Sequence, residues 1–436
     1  MKSILKALSA VALTGVMVLP VLADTATTTT DGTDQKDLKK VIEDQGINYV
    51  ETAQKGITLS GYVDVSYTNQ FAGKTTPFLQ STVPAPGTTT SAGLRQFDNQ
   101  ADGFNVQAVK IALEKALPDK NEWAAGFRID TIYGEDAKFL GDTGINLGAS
   151  APNTSGLALE QALVKFRIPV GNGLDIYAGK FVTFLGYEVI ESPANPNFSR
   201  GLLFTNAIPL THTGVYADYK FNDTFEAKFG VVDGWNSTTS TPNGSDNTFG
   251  GKAITGQLNI NAPGKNANIT QSFIYSPQGD TNAATPTSGP GIGGTGDNPV
   301  FVYDIWGNWT PTFDKDGNTT LGFNLDSGYD SFSWYGAALY AQYKLTKVIT
   351  LAGRGEYLHS DANTGKFGNG GLGVAGTPTF RPGSQDDYSL TATISFAIWD
   401  NLLTRAEYRF DDLSANTTGT TTATQNEISL EAVYSF

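Results

Sequence analysis

The 436 residues contain no cysteine and only two histidines, His212 and His359. Without cysteine there is no disulfide, no thiolate metal centre and no C-x-x-C-H attachment for c-type haem. A lipoprotein anchor, which needs a Cys directly after a leader, is excluded as well. Two histidines leave little material for hydrolysis by a His-activated nucleophile. Beyond residue 22 no apolar run approaches the ~18 residues that mark a membrane-crossing helix. Basic residues are in deficit, 29 Lys+Arg against 43 Asp+Glu, a formal net charge of −14. That argues against a nucleic-acid partner, which requires a basic face. Disorder is opposed by the rest of the composition, because only 17% of residues are charged and 11% are aromatic.

What is present begins with a leader. Lys2 and Lys6 precede an apolar run from Ala7 to Leu22, and Val21 and Ala23 suit cleavage after Ala23. Residues 1–23 therefore read as a secretory signal peptide. Residues 24–56 begin as a Thr-rich linker, "DTATTTTDGT", and continue into helix formers with Leu38, Val41, Ile42, Tyr49 and Val50. This second part reads equally as a short helix or as an N-terminal tail.

From Ile57 the texture changes. Segments alternate apolar and polar residues and break at Gly, Pro, Asn or Asp clusters, the signature of strands. About sixteen of them are expected, a number within the range of membrane barrels. They fall at 57–69, 103–115, 123–133, 157–168, 173–183, 207–220, 224–234, 250–261, 267–276, 299–310, 319–328, 332–344, 348–359, 386–398, 401–410 and 426–436. Their connections alternate in length. Long ones cover 70–102, 134–156, 184–206, 235–249, 277–298, 360–385 and 411–425. The short ones are turns such as "PVGNG", "FNDT", "LTK" and "WDN". Only the connection near 329–331 breaks the alternation. The expected fold is an all-β transmembrane antiparallel barrel over 57–436, with short periplasmic turns and long outer loops.

The strand faces agree. Ala162, Val164, Phe166 and Ile168 oppose Gln161, Lys165 and Arg167. Leu402, Thr404, Ala406, Tyr408 and Phe410 oppose Arg405, Glu407 and Arg409. Over 348–358, Ile349, Leu351 and Tyr357 oppose Arg354 and Glu356. A charge facing lipid at mid-bilayer costs ~2–4 kcal/mol, so these charges point into a hydrated interior. Aromatics fall at strand ends. Trp123, Phe221, Trp309, Trp399 and Phe436 lie near short turns, and Tyr133, Trp235, Tyr275 and Trp334 near long loops. Two interfacial belts are the expected result. The last nine residues, "ISLEAVYSF", form an outward comb of Ile428, Leu430, Ala432, Tyr434 and Phe436. An unpaired edge in hydrocarbon leaves backbone groups unsatisfied, so this strand is expected to pair with the first.

Two resemblances add to this. The comb ending Tyr434-x-Phe436 is similar to the terminal signature of outer-membrane proteins. That implies recognition by the barrel insertion machinery, with Tyr434 and Phe436 as an assembly signal. Residues 176–216 contain "AGKF", "GYEVI", "NPNFSRG" and "AIPLTHTGV". These resemble the hallmark of the OmpL-like family of β-barrel porins, and the similarity extends over most of the chain after Gly56. The resemblance implies an outer-membrane channel for small hydrophilic solutes, with no cofactor and no catalytic residues. By analogy with general porins, the third long loop would fold into the barrel and narrow it, and the protein would form a homotrimer. That loop carries Glu188, Glu191 and Arg200. They are candidates for a charged constriction, or else they hold the loop by ion pairs. Lys165, Arg167, Arg354, Arg405 and Arg409 are candidates for an opposing wall charge, or are simply solvated lumen residues.

Three motifs do not carry chemistry. "DKDGN" at 314–318 starts like a calcium loop, but the twelfth position from Asp314 is Leu325, not the required Glu. "GPGIGGTG" at 289–296 opens no helix after a strand. His212, between Thr211 and Thr213, reads as a loop hydrogen-bonding residue. The rival readings are a barrel enzyme, a sheath for an electron conduit whose haem a partner would hold, and a substrate-selective channel. Aromatic rows in the lumen would favour the last.

Overall fold

The computed structural model describes residues 56–74, 97–98, 102–140, 156–234, 252–276, 299–330, 332–361, 385–415 and 421–436. The leader over 1–23, the linker and helix expected over 24–55, Trp235 and the Gly-rich run at 289–296 lie outside them. The described residues form sixteen strands: β1 Ile57–Lys74, β2 Asp102–Lys115, β3 Ala124–Tyr133, β4 Leu157–Ile168, β5 Leu174–Val182, β6 Thr211–Lys220, β7 Phe225–Val232 and β8 Ala253–Asn261, followed by β9 Ala267–Ser276, β10 Val300–Trp309, β11 Thr319–Asp330, β12 Phe332–Lys344, β13 Ile349–Ser360, β14 Gln385–Trp399, β15 Leu402–Ala415 and β16 Thr421–Ser435.

Each strand pairs antiparallel with its sequence neighbours, and β16 pairs with β1, closing the barrel. Closure matters because no strand is left with unpaired backbone groups at its edge. At the seam, Gly61 and Phe436 exchange both backbone hydrogen bonds, each at 2.9 Å. A Cβ on Gly61 would lie 2.8 Å from the Phe436 ring and 2.1 Å from the Lys110 carbonyl oxygen. Glycine here makes room for the ring.

The alternation expected from sequence holds around the barrel. Val63, Val65, Ile111, Val164, Phe166, Phe229, Leu325, Leu339, Leu351, Leu390 and Leu430 are exposed outside, while Asp64, Lys110, Asp130, Arg354, Arg405 and Glu407 are buried inside. Four register shifts interrupt it, two near strand ends at Phe71/Lys74 and Phe396/Trp399 and two within the wall. One extra residue in β2 opposite Asp64/Val65 and one in β4 opposite Asp130/Thr131 turn Gln107 and Glu160 inward beside Ala108 and Gln161. Re-aiming a side chain is a common use of a bulge. Among the described residues no helix is long and apolar enough to cross a membrane; the crossing elements are strands.

Three expectations are corrected. β6 begins at Thr211, not 207, because residues 202–206 form a short helix and Pro209, which has no N–H to give a ladder, lies between helix and strand. β15 and β16 reach Ala415 and start at Thr421, so the last long connection is shorter than 411–425. Trp334 is not in an outer belt. It is inward and 0% exposed, with its indole N–H donating to the Ala207 carbonyl at 3.2 Å. The other described belt aromatics do face out, from Trp123 and Trp399 at the short-turn end to Tyr133 and Tyr275 at the other.

The interior also departs from a uniformly polar lining. At the long-loop ends of the strands the inward positions turn apolar: Ile132, Val232, Ile274, Val300, Val302, Trp334 and Leu358 are all buried. They join one cluster with Phe184, Leu185, Ile190, Leu202, Leu203, Phe204 and Ile208 of the β5–β6 connection. This apolar collar seats the loop that defines the site.

Candidate functional site in the lumen

The site is built by the third long connection, residues 183–210, which folds into the barrel rather than over it. Not one of its residues is exposed. Its own structure is fixed by short-range bonds. Asn195 accepts from Val189 N–H at 2.9 Å and returns a bond to Val189 carbonyl at 2.7 Å. Glu188 Oε2 accepts Gly201 N–H at 2.7 Å. A Cβ at Gly201 would lie 2.2 Å from the Glu356 carboxylate and 2.6 Å from that of Glu188, so a larger residue would displace both carboxylates from the loop.

Round the wall the loop is tethered strand by strand. Phe184 carbonyl accepts from Gln257 of β8 at 2.7 Å and Ser272 of β9 at 2.9 Å. Tyr187 donates its hydroxyl to Asn308 of β10 at 2.8 Å and its N–H to Asn324 of β11 at 2.9 Å. Its ring stacks on Tyr340 of β12, centroids 4.0 Å apart. Asn197 donates to Thr393 of β14 at 2.7 Å. The N–H groups of Phe198 and Ser199 donate to the Glu407 carboxylate of β15 at 2.7 and 3.0 Å. Ser192 donates to Glu431 of β16.

The charged candidates fall into this network. Glu188 pairs with Arg354 at 2.7 Å, and Arg354 also donates to Ser199 carbonyl at 2.6 Å. Glu191 pairs with Lys110. Arg200 pairs with Asp136 of the second long connection at 2.7 Å, and its guanidinium lies 4.7 Å from the Phe97 ring centroid. Burial pushes the Asp136 carboxyl up to about 6, even with Arg200 beside it. Arg405 donates to the carbonyls of Ser192 at 3.1 Å, Asn195 at 3.0 Å and Asn197 at 3.2 Å, and pairs with Glu431 at 3.2 Å. Arg409 donates to Arg200 carbonyl at 2.7 Å and to Asp411 at 2.9 Å. Arg354, Arg405 and Arg409 point inward, and each joins a backbone carbonyl of the loop to carboxylates of the wall.

Lys165 and Arg167 are inward too and lie apart from the loop. Lys165 pairs with Glu114, and Arg167 forms a two-pronged pair with Asp175 at 2.7 Å on each side. Tyr434 and Phe436 face outward. Three carboxylates, Asp130, Glu160 and Glu191, converge closely enough to hold a metal ion. The Lys110 ammonium already lies among them, 3.2 Å from Asp130 and 2.6 Å from Glu160, and paired with Glu191. Lysine therefore supplies the cation at this point. His212 is buried, its ring nitrogens 3.2 Å from Gly234 carbonyl and 3.1 Å from Thr183 hydroxyl, a structural role in line with the sequence reading.

Several contributors escaped the sequence reading: Lys110, Gln107, Asp136, Tyr187 and Trp334. Lys110 carried no motif, and Tyr187 stood inside "GYEVI" without being singled out. Gln107 is inward only through its bulge. Glu356 and Glu407 were legible as inward, but not as acceptors for loop backbone.

A closed sixteen-stranded sheet, apolar outside, charged inside and crossed by its third long loop defines a transmembrane channel barrel of the bacterial outer membrane. The family model described as "Putative beta-barrel porin-2, OmpL-like" matches residues 56–436, and the chain belongs to this family. It is an outer-membrane porin, a diffusion channel. Among curated proteins none matches it in sequence. Solved structures share the fold. OprB of Pseudomonas putida is 12% identical, with 90% of this chain and 97% of that one covered at a TM-score of 0.55. The outer membrane channel DcaP of Acinetobacter baumannii is 10% identical, covering 87% and 97% at 0.52. An anion-selective porin from Comamonas acidovorans is 10% identical, covering 87% and 99% at 0.52.

Proposed function

We propose that the protein passes small hydrophilic solutes passively across the outer membrane, and that residues 183–210 form the constriction that limits them. The supporting observation is the tethering of this loop across the lumen, from Gln257 and Ser272 on one side to Glu407 and Glu431 on the other. A cross-bar held at so many points keeps its shape while solute passes, as a fixed filter must. The ion pairs of Glu188, Glu191 and Arg200 act first as struts, so selectivity falls to groups that are not consumed by the loop. There is no chemistry in this reading: passage is downhill, and His212 serves packing. Assembly as a homotrimer belongs to the same proposal, as does recognition of Tyr434 and Phe436 by the insertion machinery.

The test is excision of residues 186–208 with a short Gly-Ser bridge. Single-channel conductance in planar bilayers is expected to rise several-fold. Conductance equal to that of the intact chain would show that the loop is not the constriction.

A further inference from the structure

The lumen wall is electrically lopsided. Strands β13–β16 and β1–β4 carry most of the wall's buried charges, with Lys180 of β5, Asp304 of β10 and Asp326 of β11 outside them, and Glu188 and Glu191 of the loop are spent on the first group. Strands β8 and β9, "AITGQLNIN" and "ANITQSFIYS", contain no charged residue, alone among the sixteen. Below the loop their inward side chains are Asn259, Asn261, Asn268 and Thr270, continued on β10 by Trp306 and Asn308.

This face has unspent hydrogen-bonding capacity. Thr270 donates to Asn259 at 3.2 Å. Among the described residues the amide of Asn261, the amide nitrogen of Asn259 and the carbonyl oxygen of Asn268 have no side-chain partner, and none of them is sealed from solvent. The Trp306 indole N–H is buried and unpartnered. Because that N–H is sealed from solvent, Trp306 gives the face an aromatic surface rather than a donor. Tyr187 brings the constriction to the same place. Its ring lies edge-on to Trp306, centroids 5.9 Å apart, over Gly322, where a Cβ would come 2.7 Å from that ring. Neutral amides and hydroxyls beside aromatic rings suit a solute with many hydroxyls and no charge. An ion moving along this face loses hydration, and the nearest charges outside it are already engaged: Glu226 and Lys228 of β7 lie 3.8 Å from each other, and Asp304 of β10 is sealed at the level of the loop, where it accepts from Asn324 at 2.7 Å.

We infer that the β8–β10 face is a recognition track for uncharged polyhydroxylated solutes, the chemical class of sugars. The inference rests on the porin reading and names the solute class of its channel. The full chain in liposomes is assayed for entry of glucose, the glucosamine cation and the gluconate anion, three solutes of nearly equal size. Glucose is expected to enter about fivefold faster than either charged analogue, the gain from roughly one net hydrogen bond. Asn268→Asp is expected to abolish that preference while ion conductance persists. Should this variant fail to assemble, glucose-dependent block of ion current in the intact channel, weakened in Asn261→Ala, gives the same reading. Equal entry of the three, or faster entry of a charged analogue, overturns the track and leaves the porin intact. No flux of any solute through correctly folded barrels overturns the porin reading, and the track with it.

Discussion

Arg354 shows at the residue scale how charge is used inside this barrel. Its guanidinium binds Glu188, Ser199 and Thr391, and both partners of the Glu188 pair are wholly buried. Removing one member of such a pair strands the other, at a cost of about 3–5 kcal/mol. Arg354→Ala is therefore expected to loosen the loop and make single-channel current larger and noisier. Arg354 also pairs with buried Glu356 at 2.9 Å, so the triple variant Arg354→Ala, Glu188→Gln, Glu356→Gln is expected to recover much of the quiet behaviour, since neither carboxylate partner is then left as a bare charge. Noise in the single variant no different from wild type would remove the strut role. The inward direction of Arg354, Arg405 and Arg409 was legible from alternation alone. Their partners were not, because a period of two reports which face a side chain takes and nothing about a loop more than a hundred residues away in sequence. Gln107 and Glu160 were illegible for another reason: a bulge adds one residue and shifts the register locally.

The seam between β1 and β16 is the corresponding feature at the scale of elements. The pairing runs from Tyr62↔Ser435 to Gln70↔Glu427 in continuous register, and Gly61 leaves space for Phe436. Gly61→Val would force side chain against ring and against the β2 backbone, an overpacking cost of about 1–3 kcal/mol or more. It is expected to lower the yield of heat-modifiable barrel on cold gels, while Gly61→Ala is expected to have a milder effect. Normal yield from both variants would mean that the seam tolerates what its geometry forbids. The strands themselves were readable, since a membrane on one side and water on the other impose a two-residue period that only the bulges interrupt. The misplaced start of β6 has a local cause. "AIPL" alternates like a strand, but Pro209 cannot donate to a ladder, and Ala207 is already committed to Trp334. The apolar collar was missed because its residues, Ile132 to Leu358, lie one or two to a strand and gain meaning only once the loop is in place.

Across the whole molecule, one sheet separates two environments and one loop crosses the inner one. The closed ladder provides rigidity without edges. The outer face provides the apolar band, and the charged half of the lumen holds the loop against the collar. The sequence-level expectation of a hydrated interior is thereby refined: the outer end of the barrel is packed with apolar side chains, and the polar lining resumes below it. The central claim is that this interior conducts. Purified protein added to a planar bilayer in symmetric salt tests it most directly. Discrete, repeated steps of open-channel current that scale with salt concentration are expected. A bilayer that stays silent while protease protection shows the barrel inserted would contradict the account.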